Sequence, residues 1–272
     1  MGLYRNVELS DPRYEAGGLR HLTFRSEALG RRGDVTVFVP PGCGDARGLP
    51  AVLLLHGVYN SHWAWSMQGG AHATALAMIE KGEIEPVVLL MPSDGLWGDG
   101  SGYLPHPSAD YERWVMADVV GCCREALTCL GAESQLFVAG QSMGGYGALR
   151  LGAKYAAVVA AFAAHSAVTD PRQLSRYVTE PLSLYGKAAG GEEALPLYWL
   201  RKNRDHLPPF RFDCGTGDDL IGANRRLHRS LMEEGVSHVY EEFGGGHDWD
   251  YWREHIADTL RFFQSCSISV RG

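Results

Sequence analysis

The stretch "LFVAGQSMGGYGALRLG", residues 136–152, constrains this chain more than any other. Its first half is a continuous apolar run that reads as a buried strand. The run stops at Gly140-Gln141-Ser142-Met143-Gly144, and a helix of small residues starts at once behind it. Such a turn forces the serine into a strained backbone conformation, and the small neighbours let strand and helix pack closely. It would set the hydroxyl at the carboxyl end of a sheet, where open α/β folds bind ligands. A helix amino terminus there can stabilise a developing negative charge. In a chain with 34 glycines the Gly-x-Ser-x-Gly pattern is weak evidence alone. A serine in a tight structural turn would look the same, so context must decide.

The strand half of the pattern recurs. "LPAVLLLHG" and "PVVLLMPSDG" have the same form, and "VVAAFAAHS", "PFRFDCGTG" and "HVYEEFGGG" repeat it more weakly. Short apolar runs without alternation are what parallel strands covered on both faces look like. Helical patterns lie between them: "AHATALAMIEKG", "DYERWVMADVVGCCREALTCLG" closed by Gly131, "MGGYGALRLGAKY", "GANRRLHRSLMEEG" and "WDYWREHIADTLRFF". The last sets Trp252, Ile256, Thr259 or Leu260, and Phe263 on one stripe. Upstream, "LRHLTFRSEAL" and "DVTVFVPP" flank the turn-rich "GRRG" and read as an antiparallel hairpin. The expectation is an α/β fold with a mostly parallel sheet of about eight strands and helices on both faces. Residues 1–19 read as a loose polar arm and 20–272 as one domain. Residues 170–208 break the rhythm with four prolines and one helix around Glu192 to Asn203. They read as an insertion over the site, with Tyr177, Tyr185, Tyr198 and Trp199 as a lid, a pocket wall or plain packing.

A serine hydroxyl is a poor nucleophile until a base takes its proton. In this kind of sheet the order is serine, then an acid, then a histidine, each after a strand. "FRFDCGTGDDL" offers Asp218 and Asp219 after one strand, whereas Asp213 lies before the glycines, within the strand itself. "VYEEFGGGHDW" offers His247 after the last strand; His238 and His255 fall within strand and helix patterns and suit structural roles. His247 would accept the proton of Ser142, and the acid would hold the imidazole in the right tautomer. Rates should therefore fall as the base is protonated. An oxyanion needs two backbone donors: Met143 follows the serine, and Val58 follows the strand "AVLLLHG". His56 reads as shaping that loop. Trp63 and Trp65 either wall a pocket or pack, and Gln141 fills the variable slot of the turn.

Other chemistries find less support. The net charge of −7 argues against a nucleic-acid partner, which needs a basic face. The six cysteines (Cys43, Cys122, Cys123, Cys129, Cys214 and Cys266) include no Cys-x-x-Cys pair, so no metal is expected. Cys122, Cys123 and Cys129 share a helical pattern, and all six read mostly as buried and reduced, which suits the cytoplasm. The amino terminus has no signal-peptide core, and Asn6 breaks the myristoylation pattern. No apolar run approaches the ~20 residues of a membrane span.

Several stretches together resemble the esterase D family of α/β hydrolases, over roughly residues 20–264. They are "VTVFVPPG", "LLLHGVYNSHWAW", "VVLLMPSDG", "DYERWVMADVV", "GQSMGGYGALRLG", "CGTGDDL" and "GGGHDWDYWREHI". Relatives include S-formylglutathione hydrolases, feruloyl and acetyl-xylan esterases, tributyrin-type esterases and mycolyltransferases. The resemblance implies the α/β-hydrolase fold and a serine carboxylesterase acting on small-molecule esters through an acyl-enzyme, without cofactor. It places the acid on Asp218, which closes Cys-Gly-x-x-Asp, and supports Val58 as the second oxyanion donor. The alternatives are a thioesterase of the S-formylglutathione hydrolase type and, more remotely, a non-catalytic scaffold, which would predict a broken Ser-Asp-His series. The stretch "LWGDGSGYLPHPSADY" departs from the aromatic segment many relatives place there. Trp97 and Tyr103 are its candidates for the substrate pocket, together with Trp63. Whether the chain forms a homo-oligomer is left open.

Overall fold

The computed structural model describes residues 4–269. Nine strands form one sheet in the order β1-β2-β3-β5-β4-β6-β7-β8-β9. They are β1 (Arg5–Leu9), β2 (Leu19–Arg25), β3 (Arg32–Phe38), β4 (Ala51–Leu55), β5 (Val88–Pro92), β6 (Leu136–Gln141), β7 (Val159–His165), β8 (Phe210–Gly215) and β9 (Val239–Phe243). From β5 through β9 all pairings are parallel. β1, β2 and β3 are antiparallel to their neighbours. The ninth strand comes from the amino-terminal arm: Arg5–Leu9, expected to be loose, pairs with β2. Its polar side chains hid it, because an edge strand is held by backbone hydrogen bonds rather than by an apolar face.

The apolar runs alternate after all, between two cores. Leu53, Leu55, Val138 and Phe162 face one core. Val52, Leu54, Phe137 and Ala161 face the other. The first core holds the helix Met143–Lys154 together with Leu174, Tyr185 and Leu200 of the insertion. The second is closed by the helices Ala71–Glu80 and Trp249–Ser269, whose stripe of Trp252, Ile256, Leu260 and Phe263 is buried as its spacing requires.

The long pattern after Asp110 is not one regular helix. A π-helical stretch, Trp114–Val119, joins Tyr111–Arg113 to Val120–Ala126, and the chain leaves the helix at Leu127. Asp118 lies in that stretch and accepts hydrogen bonds from Ser26 Oγ at 2.5 Å and the Ala28 amide at 3.1 Å. Cys129 therefore sits in a turn, not in the helix with Cys122 and Cys123. All six cysteines are free; Cys43 and Cys266 are half-buried and the others buried. No helix among the described residues is long and apolar enough to cross a membrane.

Because β4 to β9 run in parallel, their carboxyl ends share one edge of the sheet. Of six non-glycine residues with positive φ among the described residues, five follow strands at that edge: Tyr59, Leu96, Tyr103, Ser142 and Ser166. Backbone strain of this kind persists where the surrounding structure over-determines it, and it concentrates at functional sites.

Candidate active site

Ser142 ends β6 and begins the helix Met143–Lys154 with φ 57° and ψ −117°. Its amide donates to the His165 carbonyl at 3.0 Å, and its own carbonyl accepts from Val168 at 3.1 Å. The glycines around it leave no room for a side chain. A Cβ on Gly144 would press into the Leu55 carbonyl oxygen, and one on Gly140 into the Gly144 backbone. The helix thus starts directly over the end of β4, which aims its amino terminus across the loop that begins at His56.

His247 bridges the serine and an acid. Its Nε2 lies 2.9 Å from Ser142 Oγ, and its Nδ1 lies 2.8 Å from Asp218 Oδ2. Asp218 is buried, and its other oxygen accepts from the Leu220 amide at 2.7 Å. Burial works against its charge, but the His247 hydrogen bond and charge and the Leu220 amide outweigh burial and hold the carboxyl below its usual range. It therefore stays an acceptor, so His247 carries its proton on Nδ1 and presents Nε2 to the serine. Trp252 packs edge-on against the His247 ring at 5.1 Å, and Tyr177 of the insertion lies parallel to it at 6.2 Å. Asp219 is exposed, and Asp213 points its buried carboxylate to His165 and Tyr251 instead.

The loop after β4 is locked by a residue of unexpected importance. Asp94 N–H donates to His56 Nε2 at 3.0 Å, so that nitrogen is unprotonated. His56 Nδ1–H then donates to the Gly57 carbonyl at 2.7 Å. Burial depresses the His56 pKa, against the pull of Asp94, which keeps this neutral tautomer. In a trans peptide the carbonyl and the following N–H point in opposite directions. Holding the Gly57 carbonyl toward His56 turns the Val58 N–H away from it. Asp94 is fixed in turn: Oδ1 accepts from the Leu96 amide at 2.9 Å and Oδ2 from the Ser101 amide at 2.6 Å. Val58 and Met143 meet at Gly100, where a Cβ would come within 3.1 Å of Val58 Cγ1 and 2.6 Å of Met143 Sδ. The amides of Met143 and Val58 have no acceptor among the described residues. Sequence reasoning passed over Asp94, although it stands in the "MPSDG" stretch; nothing in that stretch says which loop it braces.

The expected pocket residues divide. Trp63 is 39% exposed beside the loop after β4. Trp65 is buried, with its indole N–H on the Leu55 carbonyl at 2.9 Å, and is packing. Trp97 is half-buried and packs edge-on against His106 at 4.5 Å and Tyr185 at 4.9 Å. Tyr103 departs from the expectation. It is fully buried, and its hydroxyl donates to the His56 carbonyl at 2.9 Å, so it supports the loop and is closed to a substrate. Tyr59, which sequence reasoning did not single out, stands 66% exposed next to Val58.

Residues 170–208 are tied down on two sides. Thr179 donates through its amide and hydroxyl to Asp99, at 2.8 and 2.7 Å, and Tyr185 donates to the Gly100 carbonyl at 2.5 Å. On the helix behind the serine, Tyr146 donates to the Ala194 carbonyl at 2.6 Å and Arg150 to the Glu193 carbonyl at 3.0 Å. The expected single helix is two pieces, a 3-10 turn Glu192–Ala194 and an α-helix Pro196–Lys202.

A mostly parallel sheet covered on both faces, with a strained serine between strand and helix and a histidine after the last strand, defines an α/β-hydrolase fold. Comparison with known proteins agrees. A family model described as Putative esterase matches residues 26–263, and the chain belongs to that esterase family. An acetyl esterase from Caldicellulosiruptor saccharolyticus is 28% identical over 241 residues, covering 82% of this chain and 86% of that one. A solved ferulic acid esterase superposes with a TM-score of 0.80 at 20% identity, over 96% of this chain and 99% of that one. An S-formylglutathione hydrolase from Staphylococcus aureus does so with a TM-score of 0.74 at 19% identity, over 94% and 98%. The protein is a carboxylic-ester hydrolase.

Proposed function

We propose that the chain hydrolyses esters of small carboxylic acids through a covalent acyl-enzyme on Ser142. The observation that carries this reading is the bridging position of His247, within hydrogen-bond distance of Ser142 Oγ and of Asp218 at once. Ser142 attacks the ester carbonyl while His247 Nε2 takes its proton, and Asp218 stabilises the resulting imidazolium. The amides of Met143 and Val58 receive the oxyanion. His247 then protonates the departing alcohol, and a water activated by the same nitrogen releases the acid. Trp63, Tyr59 and Tyr177 flank the substrate. The kinship with an acetyl esterase supports a short acyl group.

A thioester reading has one observation in its favour, the structural likeness to an S-formylglutathione hydrolase. Asp99 and Glu180 lie close enough to Tyr59 to raise its phenol above its usual range, behind the effect of burial. The kinship in sequence with an acetyl esterase makes oxygen esters the first reading.

The test is hydrolysis of p-nitrophenyl acetate, butyrate and octanoate, methyl ferulate, and S-formylglutathione by the wild type and three variants. Ser142→Ala should abolish turnover. Asp218→Asn should lower kcat by about 10³- to 10⁴-fold, whereas Asp219→Asn should stay near wild type. Persistence of activity in Ser142→Ala would refute the reading, and a preference for the thioester would move the substrate class.

A further inference from the structure

On the face of the sheet that carries the second core, a cluster of buried polar side chains lies beneath the candidate site. The strand register sets Gln141, His165, Asp213 and Glu241 in one row across β6, β7, β8 and β9, a row that ends β6 and β7. Adjacent members of a row in a parallel sheet share a face. His165 and Asp213 are fully buried, and Arg211 nearly so. The Asp213 carboxylate lies 3.0 Å from His165 Nδ1, 2.9 Å from the Tyr251 hydroxyl and 3.2 Å from Arg211 Nη1. Arg211 also donates to Thr259 Oγ1 at 3.1 Å and to Glu241 at 2.7 Å. Thr259 Oγ1 in turn lies 3.1 Å from His165 Nε2.

Replacing a buried ion pair by apolar groups is often neutral or stabilising, so this one is weak evidence for stability alone. Its connections suggest what it does instead. The His165 carbonyl accepts the Ser142 amide, and the Asp213 carbonyl accepts the Ser166 amide. Tyr251 and Trp252 are neighbours on the carboxyl-terminal helix. Tyr251 reaches Asp213, and Trp252 packs against His247. The Tyr251 ring also lies under the histidine loop. A Cβ on Gly245, whose φ is 139°, would come within 2.7 Å of Tyr251 Cδ2. The strand beside the serine, the strand that carries the acid and the helix under the histidine thus converge on one carboxylate. None of these contacts touches the reacting atoms.

We infer that Asp213, acting through His165 and Tyr251, is a positioning residue that sets the reach of His247 to Ser142. The inference rests on the reading of Ser142, His247 and Asp218 given above. Its test measures the nucleophile without a chosen substrate. A fluorophosphonate labels an activated serine: Oγ bonds to phosphorus, fluoride leaves, and the serine proton passes to His247.

The labelling rate constant is read by intact mass at 15 °C as a function of pH, with the Tm of each protein measured alongside. The proteins are the wild type, Tyr251→Phe, Asp213→Asn and Ser142→Ala. A small misplacement of catalytic groups can cost about a hundredfold. On that scale Asp213→Asn should label about a hundredfold more slowly and Tyr251→Phe about tenfold more slowly, in samples folded well below their Tm. A purely structural role would lower the Tm and leave the rate within about twofold of wild type across the pH range, and that result overturns the inference. If Asp213→Asn does not fold, Tyr251→Phe decides alone. Labelling of Ser142→Ala, or none of the wild type, overturns the reading of the site and this inference with it. An unlabelled Ser142→Ala beside wild-type rates in the other variants overturns the inference only.

Discussion

At the scale of single residues, the site depends on protons whose places the neighbours dictate. His56 shows this best. One ring nitrogen must accept from Asp94 and the other must donate to Gly57, so only the neutral Nδ1–H tautomer fits. The proton carries no chemistry of its own, yet through the trans geometry of the next peptide it sets the direction of the Val58 amide. Loss of one oxyanion donor in enzymes of this kind costs about 10²- to 10³-fold in kcat. His56→Ala should therefore lower kcat on p-nitrophenyl acetate by about a hundredfold, with KM changed by less than about threefold. A fall confined to KM would show that His56 shapes binding and not the oxyanion donor. The same histidine was read from sequence as shaping its loop, which is true but leaves out the direction of its effect. That direction depends on Asp94, far along the chain and on another loop.

At the scale of elements, the helix Met143–Lys154 is held from outside by charge as well as by packing. Buried Glu112 joins Arg150 at 2.5 Å, Lys154 at 2.6 Å and the Tyr155 hydroxyl at 2.7 Å. Burial opposes its charge, but Arg150, Lys154 and Tyr155 together lower its pKa below the usual glutamate range. A carboxyl depressed in the folded state contributes stability that is present above its unfolded pKa and lost as pH falls through the folded one. Glu112→Gln should thus destabilise the protein at pH 7 by about 3 kcal/mol, the scale for a buried pair deprived of one partner. The deficit relative to wild type should begin to shrink below about pH 4.5. Urea unfolding at pH 7 and at successively lower pH measures both, and a deficit unchanged by pH would exclude the ion cluster as its source. The helix itself was readable from its small residues directly behind the serine corner. Its partner was not: Glu112 sits where a helix pattern already accounts for an acid near an amino terminus.

For the whole molecule, the edge strand Arg5–Leu9 extends the sheet at the end far from His247 in strand order. It shields β2 by backbone pairing, and Tyr4 adds an edge-on contact with Phe24 at 5.6 Å. Removing residues 1–9 should leave esterase activity at 25 °C within about twofold of wild type, because the described part of the arm, residues 4–9, leans on β2 and the Ala117 region and not on the site. The bared β2 edge should lower the Tm by a few degrees and raise the tendency to aggregate on heating. Loss of activity at 25 °C in a folded truncation would show coupling across the sheet that strand order alone does not suggest.

The amino-acid sequence by itself determined the alternating strand and helix pattern, the hairpin, the serine corner with its glycines, and the order of serine, acid and histidine. Each rests on a local cause: backbone sterics at the corner, period-matched apolar faces in the helices, and continuous apolar runs in strands covered twice. Asp218 and Asp219 adjoin in one loop and local rules treat them alike, so the preference for Asp218 leaned on the family resemblance. Tertiary structure separates them, burying Asp218 against His247 and leaving Asp219 in water. Tertiary structure also took Tyr103 out of the pocket, broke one helix with a π-helical stretch and turned a polar arm into a strand. All of these depend on what a residue meets from distant parts of the chain. Hydrogen bonds between loops and pairing at a sheet edge need no periodicity in sequence, so they leave no pattern to read.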